Sequence, residues 1–145
     1  LAEHLDEDFA VFIERMQEDV MRNSERIGIL TSLQRSEITQ VGDMVVAHCR
    51  SGPHEGSVAT NLVRAGADIA VAHRSTDEGQ RLTCRARHAA VQSGVHLGEL
   101  CEHLAQTRGG VGGGHAGAAG WTSELQGKAA VSAFLDELAR GLGSL

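Results

Sequence analysis

Seven glycines crowd the twelve residues from 109 to 120, and this cluster limits what the chain can fold into and do. Glycine has no Cβ, so it permits close backbone approach but destabilises the interior of a helix or strand. Packed together, such residues favour a loop whose successive peptide N–H groups can close on an anion. A flexible linker is the competing reading. Linkers usually carry Ser or Lys, whereas this cluster holds a lone His115 and the pair Ala118-Ala119. The expectation is therefore a ligand-contacting loop over residues 112–120 that holds phosphate or nucleotide. Gly112-x-Gly114-x-x-Gly117 also has the spacing of a dinucleotide-binding turn. That turn must follow a strand and open a long α/β domain. Here a predicted helix precedes it and only residues 118–145 follow. No Gly-Lys-Ser/Thr is present, which excludes a Walker phosphate loop.

Length and charge narrow the function class. A chain of 145 residues, 41% of them hydrophobic, suits one domain with one modest core. With no Tyr, one Trp and three Phe, that core must be mainly aliphatic. The net charge of −6 argues against a protein that coats nucleic acid generally. Acids dominate residues 1–45, whereas residues 80–120 carry Arg81, Arg85, Arg87 and Arg108 against Glu99 and Glu102. The basic stretch thus overlaps the glycine cluster, and an anion can be bound locally. Cys49, Cys84 and Cys101 show no C-x-x-C spacing, so neither a disulfide framework nor a zinc site is read from them. A reducing cytoplasm is the expected compartment. Apolar runs fall short of a membrane span and no signal peptide is visible. The chain begins with Leu, and it is expected to be part of something longer.

Periodicity predicts a helix over residues 2–24, with Leu5, Phe9, Phe12, Ile13, Met16, Val20 and Met21 at helical spacing. Short strands are predicted over 27–33 and 44–49, the second after a Gly42-Asp43 turn. A helix over 57–64 with Val58, Leu62 and Ala65 on one face should stop at Gly66. A strand over 69–73, a turn over 75–79 and a strand over 80–88 follow. In the last of these, Leu82, Cys84 and Ala86 face one way and Arg81, Thr83, Arg85 and Arg87 the other. A helix over 97–107, the glycine loop, a short strand at Trp121 and a helix over 127–142 complete the pattern. Its buried stripe is Ala130, Phe134, Leu138 and Leu142. The order suits an α/β fold: one domain, a mixed central sheet and helices packed on it.

Two guanidiniums on one strand face, Arg85 and Arg87, offer planar forks suited to phosphate. A charged edge strand is the plainer reading, but the nearby glycine loop favours binding. His115 is open to roles as metal ligand, proton donor or phosphate contact. No partner is set by spacing, so phosphate contact is expected. His88, His96 and His103 read as surface or core-edge residues.

Leu82-Thr83-Cys84-Arg85-Ala86-Arg87, a helix, then Gly-Gly-Gly-His-x-x-Ala-Ala-Gly resembles the DHH-associated C-terminal domain of the DHH phosphoesterase superfamily. That superfamily includes RecJ-like exonucleases, nano-RNases, cyclic-dinucleotide phosphodiesterases and pyrophosphatases. The resemblance covers residues 27–142, with Ala86 standing where many members have Ser. It implies an N-terminal catalytic domain whose Asp-His-His and spaced Asp motifs hold two Mn²⁺ or Mg²⁺ ions that activate water. It further implies that Arg85 grips a phosphate, that Gly112, Gly113, Gly114 and His115 line the cleft, and that Arg87 contributes less.

This chain has no Asp-His-His and no catalytic set of its own. It is expected to be the substrate-binding domain of a metal-dependent hydrolase, inactive alone, binding single-stranded nucleic acid or a small nucleotide. No cofactor is expected in this domain. Residues 1–24 are then the connector from the catalytic domain, and 25–145 the binding domain. A related domain ends alanyl-tRNA synthetases, so a non-catalytic RNA-binding module is the alternative. His115 and Ala118-Ala119-Gly120 favour the phosphoesterase side. A third expectation is a homodimer paired through the first helix.

Overall fold

The computed structural model describes the backbone of residues 2–143 and the side chains of 8–16 and 22–143. The helices are α1 (Ala2–Arg35), α2 (Glu55–Ala65), α3 (His88–Gln92), α4 (Leu97–Arg108) and α5 (Gly127–Gly143). The strands are β1 (Glu37–Val41), β2 (Met44–Arg50), β3 (Ile69–Thr76), β4 (Gly79–Ala86), β5 (Val111–Gly114) and β6 (Ala118–Ser123). They form one six-stranded sheet in the order β1-β2-β3-β4-β6-β5. Only β2 and β3 pair in parallel, because α2 carries the chain across between them. The remaining pairs are antiparallel. The expected α/β class with a mixed sheet is what the chain adopts.

The two faces of the sheet differ in what covers them. On one, Val46, Ile69, Val71, Leu82, Cys84 and Trp121 pack under α4 and α5, against Leu97, Cys101, Leu104 and Phe134. This is the main core. Trp121 is its largest side chain, and its indole N–H donates to the Gly109 carbonyl at 3.0 Å, so its one polar atom is satisfied. On the other face, Ala47, Cys49, Ala70 and Ala72 meet Val58, Ala59 and Leu62 of α2. Alanines on the strands let α2 sit close. Helix α2 ends at Gly66, whose φ of 142° releases the chain toward β3. Beyond β4 this face changes character. The helix that packs on β5 and β6 is α4, and it does so from the core side.

Three local expectations are corrected. Residues 27–33 are not a strand: α1 continues unbroken to Arg35. Their β-branched residues are overridden by packing, since Ile29 and Leu33, four apart, meet α2 on one helix face. The strand in this region is instead β1, which pairs with β2 around Gly42 at φ 59°. Ala65 is exposed, although Val58 and Leu62 are buried as expected. Strand β4 stops at Ala86, and Arg87 precedes α3. On α1, Phe9, Phe12, Ile13 and Met16 are exposed, so this part of the helix does not pack on the domain. Leu5, Val20 and Met21 lie outside the described side chains.

A polar network joins β3 to β4 on the core face. The Gln80 amide N–H donates to His73 Nδ1 at 3.0 Å, and its carbonyl accepts from the Ser75 hydroxyl at 2.9 Å. Burial holds the His73 pKa below its ordinary 6.5, helped by nearby His48 and Arg50 and opposed by Glu37. Folding therefore favours the neutral ring, and the unfolded chain binds more protons below pH 6.5. The contribution is complete above the unfolded pKa and is lost as pH falls through the folded one. Stability measured by urea unfolding should fall on acidification below pH 6.5, and less steeply in His73→Gln. An unchanged slope would place the titration elsewhere.

Candidate functional site

Strand alternation builds the site. On β4, Leu82 and Cys84 enter the core, so Arg81, Thr83 and Arg85 project from the opposite face. The register sets Arg81 beside Thr122, Thr83 beside Gly120 and Arg85 beside Ala118. It also sets Gly120 beside Gly113 and Thr122 beside Val111. With only glycine and alanine at its centre, this half of the sheet is a bare floor. The floor opens into a cleft of about 520 Å³, lined by Arg81, Thr83, Arg85, Gly113, His115 and Gly120 among others. No carboxylate lines it.

The glycine cluster is thus a β-hairpin, β5 and β6, and not the loop expected from composition. Its glycines divide by face. Gly112 points toward α4, where a Cβ would run into the Cys101 carbonyl, whereas one on Gly114 would run into Ala118 and Ala119 of β6. Gly98 on α4 is equally confined, against the Gly114 carbonyl. These residues let helix and hairpin touch backbone to backbone. Gly113 faces the cleft, and a Cβ there would meet nothing within 4 Å. The connecting turn, which carries His115, is tied down from two sides. Its 115 N–H donates to the Ala118 carbonyl at 2.8 Å, and the 115 and 116 carbonyls accept from Gly98 and Leu97 at 3.0 and 2.9 Å. Two N–H groups in the first turn of α4 are therefore spent on the turn. The His115 side chain is exposed at the cleft rim.

Arg85 is half-buried at the inner end of the cleft. Its Nη1 donates to the Cys84 carbonyl at 2.9 Å, and Nη2 lies 3.2 Å from where a Cβ on Gly56 would stand. Gly56, in the first turn of α2, thereby leaves room for the guanidinium. Among the described residues no carboxylate forms an ion pair with Arg85 or Arg81. Arg74, across from Arg81, is instead paired with Glu55. Arg87 does not join the cleft. It lies past the end of β4, where its guanidinium meets Asp68 at 3.2 Å. Of the residues expected to act together, Arg85, Gly112, Gly113, Gly114 and His115 line one cleft, and Arg87 stands apart. A Cβ on Gly112 would meet α4 and one on Gly114 would meet β6, so each also allows close packing beside the cleft.

Arg81, Thr83, Ala118 and Gly120 belong to the cleft as well. The period-two pattern already put Arg81 and Thr83 on the face of Arg85, but nothing in the sequence showed that β6 would pair beside them. Gly56 carried no sequence signal. Two other histidines are engaged elsewhere: His96 Nδ1 accepts from the Glu99 N–H at 3.0 Å, and His103 pairs with Glu137 at 3.2 Å. The Cys84 thiol is buried 3.7 Å from Cys101 Sγ, and that contact and burial raise its pKa well above the usual thiol value. It is inert as a nucleophile.

A divalent metal does not fit this cleft. Mn²⁺ and Mg²⁺ require several oxygen ligands, and no group of three or more His, Cys, Asp or Glu side chains among the described residues is arranged to hold an ion. None of the described helices is long and apolar enough to cross a membrane.

An open-faced α/β domain, half of whose sheet is a small-residue platform flanked by arginines, is the class that fold and cleft define. The chain belongs to the DHHA1 domain family, whose model matches residues 44–141. The matched segment contains β2 through most of α5, and so the whole cleft. An uncharacterized protein of Methanocaldococcus jannaschii is 37% identical over 99 residues, which are 67% of this chain and 30% of that protein. The chain thus spans under a third of the length of that relative. The fold is similar to the C-Ala domain of Aquifex aeolicus alanyl-tRNA synthetase, with a TM-score of 0.54 and 17% identity over 71% of this chain and 98% of that one. It is also similar to a pGpG-specific phosphodiesterase of Vibrio cholerae, with a TM-score of 0.61 and 12% identity over 88% of this chain and 43% of that one. At these identities the two structures share the fold.

Proposed function

We propose that this domain is the substrate-holding part of a DHH-type phosphoesterase, and that its cleft takes the phosphate and adjoining nucleotide of single-stranded nucleic acid or a small nucleotide. One observation carries the reading. Arg85 presents a guanidinium with no carboxylate partner among the described residues, over a floor reduced to peptide backbone at Gly113 and Gly120. A phosphate accepts two N–H bonds from such a fork. A nucleoside lies flat on a surface without side chains. Among the described residues no group of three or more metal-ligating side chains is gathered, and bond cleavage in this reading falls to a separate catalytic domain, where Mn²⁺ or Mg²⁺ would activate water. This domain's part is to hold and orient.

Titrating the chain with adenosine 5′-monophosphate, followed by amide chemical shifts, tests the reading. The largest shifts are expected at Thr83, Arg85, Gly113 and Gly120. Shifts confined to α1 or α5, or none at millimolar nucleotide, would defeat it. The match to nearly the whole C-Ala domain keeps a second reading, a non-catalytic RNA-binding module of the tRNA synthetase kind. It requires steeply salt-dependent tRNA binding by this chain. Its net charge of −6 and compact cleft favour the first.

A further inference from the structure

We infer that Arg81 forms a second phosphate subsite on the platform, two internucleotide linkages from Arg85, and that it makes the domain prefer strands of three or more phosphates. The inference rests on the phosphate-binding reading of Arg85 and extends it to substrate length.

Arg81 and Arg85 project from the same face of one strand and line the same cleft. Four residues of extended chain separate their Cα atoms by about 13 Å. A stacked single strand rises about 3.4 Å per nucleotide, and an unstacked one stretches to roughly twice that. Two extended linkages therefore match the separation, whereas one linkage falls well short. The residues between suit a chain lying along β4: Thr83 offers a hydroxyl, and Gly120 and Gly113 beside it leave the floor flat.

The charge arrangement gives the second argument. Arg81 stands directly across from Arg74, and like charges so placed repel. Arg74 is neutralised from the far side by the buried carboxylate of Glu55. Arg81 is exposed and has no ion pair among the described residues. A phosphate on Arg81 removes the remaining repulsion, so the position gains from an anion that the protein itself does not supply. Arg87, two residues past Arg85, cannot play this part because it is held by Asp68 outside the cleft.

The test compares the 5′-phosphorylated oligoadenylates pApA and pApApA, bound to the chain and measured by calorimetry at several salt concentrations. The trinucleotide has phosphates two linkages apart and the dinucleotide has not. Wild type should bind pApApA about three- to tenfold more tightly than pApA. Arg81→Ala should bind the two alike. Its salt slope for pApApA should be shallower by about 0.7. Arg81→Lys should keep part of the preference. Because Arg81 is exposed, unchanged melting of each variant is expected and is checked alongside. If Arg81→Ala retains the full preference, or wild type shows none while binding pApA, the second subsite is wrong and the Arg85 reading stands. If wild type binds neither oligonucleotide, the Arg85 reading fails and this inference fails with it.

Discussion

Arg85→Ala should weaken binding of a nucleoside monophosphate by about ten- to a hundredfold and shift the melting temperature by no more than about 2 °C. The two effects separate because of how Arg85 is placed. Its guanidinium makes one hydrogen bond to the protein, to the Cys84 carbonyl, and joins no ion pair among the described residues. Removing it strips little from the fold. The same guanidinium is half-buried between α2 and the sheet, where water screens a charge poorly. A charge-assisted bond formed there is worth about 1.5–3 kcal/mol, which sets the expected range. Arg85→Lys should recover only part of the loss, because an ammonium keeps the charge but not the planar fork. Calorimetry and thermal melting on the same samples measure both quantities. Equal affinity in wild type and Arg85→Ala would remove the cleft as the phosphate site.

Gly112→Ala and Gly113→Val should fail in opposite ways. A Cβ at Gly112 runs into the Cys101 carbonyl and stands 3.2 Å from the Trp121 ring, so α4 and β5 must separate. Prising apart backbone contacts of this kind costs about 2–4 kcal/mol, or roughly 10 °C in melting temperature. Gly113 has no positive φ, and its Cβ would enter open space. Valine suits a strand, so Gly113→Val should fold with wild-type stability. Its side chain nevertheless stands on the floor of the cleft and should reduce nucleotide affinity about tenfold. Thermal melting checks the first and binding the second. If Gly113→Val binds as wild type does, no ligand lies on that floor.

These substitutions also show how far the residues could be read before the fold was known. Alternation in 81–85 sorted the strand by face: Leu82 and Cys84 went inward, Arg81, Thr83 and Arg85 outward. Arg87 was grouped with them because the same alternation continues past Ala86. The strand stops there as the backbone turns into α3, and the Arg87 N–H instead donates to the Asp68 carbonyl at 2.8 Å. Residues 27–33 have strand-like composition, and their helical state comes from packing of Ile29 and Leu33 on α2, a contact between distant segments. Strand β5 is largely glycine and carries no local strand signal. It is extended because β6 pairs with it and α4 presses on it.

The glycine cluster divides along the same line. By its sequence alone it was a ligand-contacting loop, with a flexible linker as the competing reading, and with His115, Ala118-Ala119-Gly120 and Arg85 it indicated the family. Glycine's freedom is a local property, legible residue by residue. Which backbone each glycine meets is not local. The hairpin turns Gly112 toward α4 and Gly113 toward the cleft, because adjacent residues on a strand face opposite sides of a sheet. Only tertiary structure supplied the sheet order that sets β6 beside β4, and with it the floor that lies next to Arg85.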